Sequence, residues 1–218
     1  MTQKLKVAVI GLGHIGTVVA TNLVKGNRPV IVADRTIQKA KDLSGKLGVL
    51  ATPMEIPTAI KEADIVVFAI WFNAIKELFN TYAKELQGKI IVDPSNPIAP
   101  DENGGFKKII DKEQSAGQIL SSLLPKDAKL AKALGTLGAA SLSKAAFQQP
   151  YKAVGFYATN DATINAAIED FIRDNGFEPV RVGDINQSIR IEVFGDLHEF
   201  GAVGKTVTLN EANQQVPV

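Results

Sequence analysis

Three closely spaced glycines near the start of the chain could bind an anion. They occur in the run Gly11-Leu12-Gly13-His14-Ile15-Gly16, which follows a short apolar stretch and precedes a helical pattern. Unhindered main-chain N–H groups and the first turn of a helix both favour negative charge at such a loop. In a GxGxxG loop the glycines permit a tight turn, close approach of a pyrophosphate, and close packing of the helix on the sheet. We expect these six residues to bind a dinucleotide; the alternative is a turn that needs small residues for structural reasons alone.

An acidic residue follows about twenty positions later, as a dinucleotide site requires. Asp34 ends the second apolar run, and Arg35, Thr36 and Lys39 come soon after it. The Asp34 carboxylate would accept the ribose hydroxyl groups of NAD and repel the 2′-phosphate of NADP, whereas the three following side chains could bind that phosphate. Asp34 could instead be the N-cap of the next helix. The sequence therefore predicts NAD(H) or NADP(H) as the cofactor and leaves the choice between them open.

Two further loops are expected to contact the nicotinamide half of the cofactor. Ile70 and Trp71 follow the fourth predicted strand, where Trp71 could form an apolar wall or could cap the edge of the core. Ser95 and Asn96 lie between two prolines after the fifth predicted strand. Their hydroxyl, amide and main-chain groups could contact the carboxamide of the nicotinamide or a substrate, or could form a plain turn. We predict all four as cofactor-binding residues.

No side chain is predicted to be catalytic or to bind a metal. The chain has no cysteine and two histidines, and it shows neither a His-Glu-x-x-His nor a Ser-His-Asp motif. We expect His14 to pack near the pyrophosphate and His198 to be an exposed surface residue. Hydride transfer between two ring systems needs no protein acid or base, because the cofactor carries the chemistry.

The elements that must position these residues alternate between strand and helix. Apolar runs rich in β-branched residues predict strands at 5–10, 30–33, 49–51, 65–70, 89–93, 129–134, 153–158 and 179–182. This alternation predicts an α/β fold with a doubly wound, mainly parallel Rossmann sheet, whose loops after strands one, two, four and five lie at one edge. We expect a loop at 94–106 and a short, largely helical C-terminal extension, with its helical pattern over 185–204. Residues 1–150 are predicted to form the dinucleotide-binding domain, and residues 151–218 to pack on it or to continue it as one domain.

Composition excludes several other classes of protein. The 218 residues include 24 Lys and Arg against 23 Asp and Glu, so no positive field favours nucleic acid. The longest apolar run, residues 65–72, is much shorter than the roughly twenty residues of a membrane helix. We expect a soluble cytoplasmic protein that acts on a small molecule, without a nucleic-acid or membrane partner, and we expect a homodimer.

Several of these stretches together resemble a known family. The similarity is to the prokaryotic NADP oxidoreductases that use the deazaflavin coenzyme F420, and it lies in residues 11–16, 33–35, 70–71 and 89–97. Residues 88–97 also resemble the cytosolic NADPH-binding domain of the six-transmembrane ferric reductases. The resemblance implies a reductase that binds a dinucleotide on a Rossmann sheet.

The resemblance also implies roles for the matching residues. Residues 12–15 would bind the pyrophosphate, and Asp34, Arg35 and Lys39 would bind the adenosine ribose and its phosphate. The family carries a small neutral residue in place of Asp34, which favours NAD or dual use in this chain. On the deazaflavin side the family carries a histidine and a proline, where this chain has Gly135 and Gly138.

The sequence therefore predicts an NAD(P)H-dependent oxidoreductase with a flavin- or deazaflavin-like co-substrate. We expect this acceptor to rest against residues 135–140 and the C-terminal helix, where Gly135 and Gly138 would leave open floor for a flat ring; a close contact between small residues is the alternative. A quinone-like compound or a small carbonyl substrate stays open. Two other functions also stay open: a non-catalytic NAD(P)-binding redox sensor, and a dehydrogenase of a small hydroxy or imino acid with Lys144 or His198 as its base.

Overall fold

The computed structural model describes residues 4–102 and 104–216. Within these ranges the strands are β1 (Val7–Ile10), β2 (Val30–Ala33), β3 (Ala51–Pro53), β4 (Ile65–Phe68), β5 (Ile90–Asp93), β6 (Ile98–Pro100), β7 (Phe106–Lys108), β8 (Lys129–Ala133), β9 (Val154–Ala158) and β10 (Glu178–Gly183). The α-helices are α1 (His14–Lys25), α2 (Ile37–Leu47), α3 (Ile56–Glu62), α4 (Phe72–Thr81), α5 (Ala116–Ser121), α6 (Ala139–Ala145), α7 (Asn165–Asp174) and α8 (Leu209–Gln215), and 3₁₀ helices span Ala162–Ile164 and Ile185–Arg190. None of the helices in this part of the chain is long and apolar enough to cross a membrane.

An eight-stranded sheet in the order β10-β9-β8-β5-β4-β1-β2-β3 forms the centre of the fold. Its inner strands β1, β2 and β4 are buried at every residue, because helices cover both faces of the sheet. Apolar side chains of α1, α2, α6 and α7 pack on one face, and those of α3, α4 and α5 pack on the other. The predicted doubly wound architecture is confirmed.

Strand direction decides which loops meet at one edge. The strands from β3 across the sheet to β8 are all parallel, whereas β9 pairs with β8 in the antiparallel sense and β10 runs parallel to β9. The edge at which β1, β2, β4, β5 and β8 end is called the carboxyl edge below. It collects the loops after strands one, two, four and five, as predicted.

Two segments differ in detail from the sequence-based expectation. The predicted loop 94–106 contains β6, which pairs with β7 as an antiparallel hairpin; three-residue strands are too short to show an alternating pattern. The C-terminal region is helical in part, but residues 191–204 form turns after the 3₁₀ helix, and the α-helix α8 comes later. Phe194 has a φ of +72°, which a right-handed helix cannot contain. Ile191 and Leu197 are nevertheless buried, against β9 and β10.

Candidate functional site

The glycine loop joins β1 to α1 at the carboxyl edge. Gly11 has a φ of +91°, and a Cβ there would overlap the side chain of Ile70 and crowd the carbonyl group of Ala69. A Cβ on Gly16 would overlap the carbonyl oxygen of Gly11. The first and third glycines are therefore required by the fold itself, for the turn and for the close packing of α1.

The second glycine has no such structural reason. Gly13 has an ordinary φ of −72°, and a Cβ there would meet nothing within 4 Å. Gly13 is the N-cap of α1, which has no side-chain hydrogen bond at its cap and no acidic residue in its first turn. Among the described residues, the start of this helix therefore has no side-chain cap, and the space beside Gly13 is open.

The other residues of the loop divide between the core and the surface. Leu12 is buried, and Ile15 is half-buried and packs against the core. His14 is exposed at the first position of α1. Its predicted place near the pyrophosphate stays a prediction.

Asp34 connects the end of β2 to the glycine loop. Its Oδ2 accepts a hydrogen bond from the Leu12 N–H at 2.8 Å and lies 3.3 Å from the Nζ of Lys39, while Oδ1 accepts a longer bond, 3.4 Å, from the Thr36 N–H. Partial burial opposes ionisation of Asp34, but these N–H groups and the ammonium outweigh it and hold its pKa below the ordinary value. The carboxylate is thus charged at neutral pH.

The alternative interpretation of Asp34 as a helix cap is wrong. The N-cap of α2 is Thr36, and α2 begins at Ile37. Arg35, Thr36 and Lys39 are exposed beside Asp34, so all three are accessible to a ligand at the end of β2.

Ile70 and Trp71 follow β4, and Ile70 lies beside the glycine loop. Ile70 is half-buried and occupies the space that a Gly11 side chain would need. Trp71 is the N-cap of α4 and is 60% exposed. A ring so exposed does not cap the core, so that alternative is wrong, while its contact with a cofactor stays a prediction.

Ser95 and Asn96 lie in the loop after β5 and differ in how their side chains are used. The Asn96 amide donates to the carbonyl oxygen of Gly135 at 2.9 Å, and its Oδ1 accepts from the Val193 N–H at 2.7 Å. The Ser95 hydroxyl is buried and has no hydrogen-bond partner among the described residues. Asn96 therefore links three segments of the protein, whereas Ser95 keeps an unsatisfied polar group.

A buried charge cluster that was not predicted from the sequence lies next to this loop. The Nζ of Lys132, in β8, lies 2.7 Å from Oδ2 of Asp93 and 3.9 Å from Oε1 of Glu192. All three side chains are at most 2% exposed. Glu192 also accepts hydrogen bonds from the N–H groups of Ala116 and Gly117, at 2.9 and 3.0 Å. The signal that could have found this cluster is a lysine between the apolar residues Ala131 and Ala133 in the interior of a strand.

His198 is buried, contrary to the prediction of an exposed surface histidine. Its Nδ1 accepts from the Phe200 N–H at 3.0 Å, so Nε2 carries the proton and donates to the Gly135 carbonyl oxygen at 3.1 Å. Burial lowers the pKa of His198, although nearby Glu199 opposes the shift, and the ring is neutral at neutral pH. The other candidate base, Lys144, is exposed in the last turn of α6. His198 therefore holds the chain in place rather than presenting a free base.

Gly135 and Gly138 do not form the open floor that the sequence suggested. A Cβ on Gly135 would lie 2.7 Å from the carbonyl oxygen of Pro94, and one on Gly138 would lie 3.0 Å from Oε1 of Glu199. The Glu199 carboxylate also accepts a hydrogen bond from the Gly138 N–H. Residues 191–201, which we call the C-terminal strap, thus cover this stretch. The strap and the Pro94 loop fill the space, so the neighbours of the two glycines are the Pro94 carbonyl and the Glu199 side chain rather than small residues of a helix–sheet contact.

Comparison with known proteins relates this site to a family. Residues 6–97, less than half of the chain, match the family model described as NADP oxidoreductase coenzyme F420-dependent. The matched range holds the glycine loop, Asp34, Trp71 and Ser95. The resemblance predicted from the sequence is confirmed.

Two curated relatives show how far the similarity extends. Glutamyl-tRNA reductase of Caldivirga maquilingensis is 38% identical over 96 residues, which are 42% of this chain and 23% of that protein. Metalloreductase STEAP3 of Rattus norvegicus is 25% identical over 187 residues, which are 86% of this chain and 36% of that protein. The chain therefore spans only a minor part of the length of either relative.

Two solved structures share the fold over most of the chain. A hypothetical protein from Sinorhizobium meliloti is 27% identical, with a TM-score of 0.78 over 94% of this chain and 95% of that one. A putative F420-dependent NADP-reductase from Arthrobacter sp. FB24 is 22% identical, with a TM-score of 0.73 over 85% of this chain and 87% of that one. The Rossmann fold is confirmed, and the family whose model matches is one of NADP-dependent oxidoreductases.

Proposed function

We propose that the chain is an NAD(P)H-dependent oxidoreductase that transfers hydride between a nicotinamide and a flavin- or deazaflavin-like, or other small, acceptor. The observation that carries the proposal is the open space at Gly13 beside the uncapped start of α1, since no group in the described part of the chain fills or caps it. The match of residues 6–97 to an NADP oxidoreductase family supports the same cofactor class.

Different residues of the carboxyl edge would bind the two halves of the cofactor, the adenosine half and the nicotinamide half. The glycine loop would receive the pyrophosphate, and Asp34 would accept ribose hydroxyl groups through Oδ1, whose only bond within the described chain is long. Ile70 and Trp71 would line the nicotinamide-side ribose, and the Ser95 hydroxyl would meet the carboxamide. The bound dinucleotide supplies the hydride, so these side chains bind and orient rather than donate or accept protons.

We propose dual use of NAD(H) and NADP(H), with Asp34 favouring NAD(H). A charged carboxylate at the end of β2 repels a 2′-phosphate. The exposed Arg35 attracts that phosphate and can form bidentate bonds with it, whereas Lys39 already pairs with Asp34. The balance between these charges sets the preference, and the neutral variant Asp34→Asn measures it.

Large aromatic side chains near the carboxyl edge support an acceptor with a flat ring. Phe194 and Phe200 of the strap are 55% and 63% exposed, and Trp71 is exposed at the N-cap of α4. Aromatic faces of this kind stack on conjugated rings. Because the glycines beneath the strap are covered, we propose that the acceptor binds on the outer side of the strap.

Titration with NADH and NADPH tests the cofactor assignment, and Trp71 serves as the reporter because it is the only tryptophan of the chain. Reduced nicotinamide absorbs where tryptophan emits, so binding at this edge should quench Trp71 and sensitise nicotinamide emission. Turnover is then followed by nicotinamide absorbance with flavin, deazaflavin, quinone and small carbonyl acceptors. Binding without oxidation by any acceptor would support the redox sensor instead. No binding at about millimolar cofactor would overturn the proposal.

A further inference from the structure

We propose that Lys132 is a positioning residue: it holds the loop 94–97 in the conformation that the nicotinamide end of the cofactor needs. The inference rests on the proposed function and adds a residue that makes no predicted contact with cofactor or acceptor. It begins from the place of Lys132 in β8, where Leu130, Ala131 and Ala133 are all buried apolar residues. An apolar side chain would fit such a strand, so the buried ammonium needs an explanation.

The contacts of the Lys132 ammonium come from three separate segments. Asp93 stands directly opposite Lys132 in the register of β5 and β8, and its Oδ2 lies 2.7 Å from Nζ. The ammonium also donates to the main-chain carbonyl of Ser95, in the loop after β5. Oε1 of Glu192, at the start of the C-terminal strap, lies 3.9 Å away. One cation therefore joins the end of β5, the Ser95 loop and the strap.

Such a junction is expensive to bury. Removing charges from water is strongly unfavourable, and pairing only partly offsets this, so an apolar replacement often stabilises a fold as well or better. Burial raises the pKa of Glu192, although the Lys132 ammonium and the N–H groups of Ala116 and Gly117 oppose the shift. Stability alone therefore does not explain why the cluster is present. What the cluster does provide is a fixed geometry of the groups that it joins.

The geometry it fixes is that of Ser95. The Ser95 N–H donates to Oδ1 of Asp93 at 2.7 Å, and the Ser95 carbonyl accepts from Lys132. Both main-chain polar groups of Ser95 are thus held by the same ion pair, while its buried hydroxyl has no partner in the described chain. Unsatisfied buried hydroxyl groups are rare and call for a partner. We infer that this hydroxyl is held for the nicotinamide carboxamide, at the edge where a Rossmann sheet binds it.

The variant Lys132→Met tests the inference, since it keeps an unbranched side chain that is one heavy atom shorter and removes the charge. We expect ADP affinity to stay within about threefold, because the adenosine half lies at Gly13 and Asp34. The kcat with the best acceptor should fall by about tenfold or more, with a smaller change in the KM for reduced cofactor. The emission of bound reduced nicotinamide, excited directly, should change because the ring is no longer held in one position.

Three companion variants keep the result interpretable. Lys129→Met removes the other lysine of β8, which pairs with Asp161 away from this loop, and should leave kcat unchanged. Asp93→Asn combined with Lys132→Met also removes the carboxylate nearest to the lost ammonium, while Glu192 keeps its two N–H donors. This double variant should recover stability relative to Lys132→Met but not kcat. Ser95→Ala removes the hydroxyl alone and should lower kcat without unfolding the protein, even where Lys132→Met does not fold.

The outcomes separate the inference from the function on which it rests. If the unmodified protein binds no dinucleotide, the proposed function fails. If it binds and turns over, but Ser95→Ala retains its kcat and nicotinamide emission, the positioning role of Lys132 is overturned. A loss of kcat in Lys132→Met that the doubly substituted variant restores together with stability would also overturn it, because the residue would then act through folding alone.

Discussion

The glycine loop 11–16 and the glycine-containing stretch 135–138 are two versions of one arrangement. Each follows a parallel strand at the carboxyl edge and leads into a helix whose N-cap is glycine. At α1 the space beside Gly13 is open and no side chain caps the helix. At α6 the Glu199 carboxylate accepts the Gly138 N–H, so the protein supplies its own anion. Glycine spacing thus indicates where the backbone is accessible to a partner, and the partner can be a ligand or another part of the chain.

The largest expected effect comes from a substitution in the glycine loop, where the start of α1 is open. Gly13→Val places a branched side chain in the space assigned to the pyrophosphate, and we expect cofactor affinity to fall by about 100-fold or more, which is about 3 kcal/mol. Because φ at Gly13 is ordinary and the space is open, unfolding free energy should change by no more than about 1 kcal/mol. Calorimetric titration and urea unfolding measure the two quantities. Gly45→Ala, at another open glycine in α2, is the control and should leave affinity unchanged.

The second prediction concerns the stretch 135–138, where Glu199 covers the start of α6. Glu199→Ala removes the internal anion from the start of α6 and leaves the Gly138 N–H without its acceptor. We expect a loss of about 1–2 kcal/mol in unfolding free energy with cofactor affinity unchanged, since the glycine loop is untouched. Urea unfolding with and without cofactor measures both effects. A large drop in cofactor affinity with no loss of stability would show that the two glycine stretches do not divide their roles in this way.

The third prediction, with a smaller expected effect, tests whether Asp34 faces the adenosine end of the cofactor. Asp34→Asn keeps an oxygen that can accept the Leu12 N–H and removes the negative charge beside Arg35 and Lys39. The ratio of NADP(H) to NAD(H) affinity should rise by about tenfold, or about 1.4 kcal/mol, as the repulsion of the 2′-phosphate disappears. Competitive titration of the two cofactors gives the ratio directly. An unchanged ratio would mean that the Asp34 carboxylate does not face the phosphate.

The smallest effect concerns the anchorage of the chain beyond the strap. Hydrogen bonds from Lys205, and from the N–H and hydroxyl of Thr208, lower the pKa of Glu211 to about 2. Because the folded pKa lies below the ordinary value of 4.5, this stabilisation is present above about pH 4.5 and is lost as pH falls toward 2. Glu211→Gln should therefore be less stable than the parent at pH 7, and the difference should narrow as pH falls below about 4.5, with the two proteins converging only near pH 2.

Urea unfolding at several pH values measures this convergence. Glu113→Gln, whose parent side chain is 84% exposed, is the control and should show no pH-dependent difference. A Glu211→Gln difference that persists undiminished at pH 3 would mean that the charge of Glu211 is not what stabilises α8. Cofactor affinity at pH 7 should be the same in all three proteins, because α8 is remote in sequence from the glycine loop.

The part of the site that could be predicted from sequence is the part built from local patterns. The glycine loop and Asp34 each follow directly from a strand, so strand prediction placed them at the same edge. Lys132 and His198 could not be placed, because their partners lie 39 and 63 residues away along the chain. Their roles depend on which strands become neighbours and on a strap made of turns, which has no periodic pattern. The covering of Gly135 could not be predicted for the same reason, because the residues that cover it are distant in the sequence.

The C-terminal strap limits how this protein could be recombined with others. Asn96, Gly135 and Gly138 each form a hydrogen bond with residues 193–199. A chimaera that joins a foreign module after α6 would leave these polar groups without their partners, and would also remove Glu192, which lies 3.9 Å from the Lys132 ammonium. Crossover points beyond residue 201 avoid this damage, so the smallest transferable unit is the sheet together with its strap.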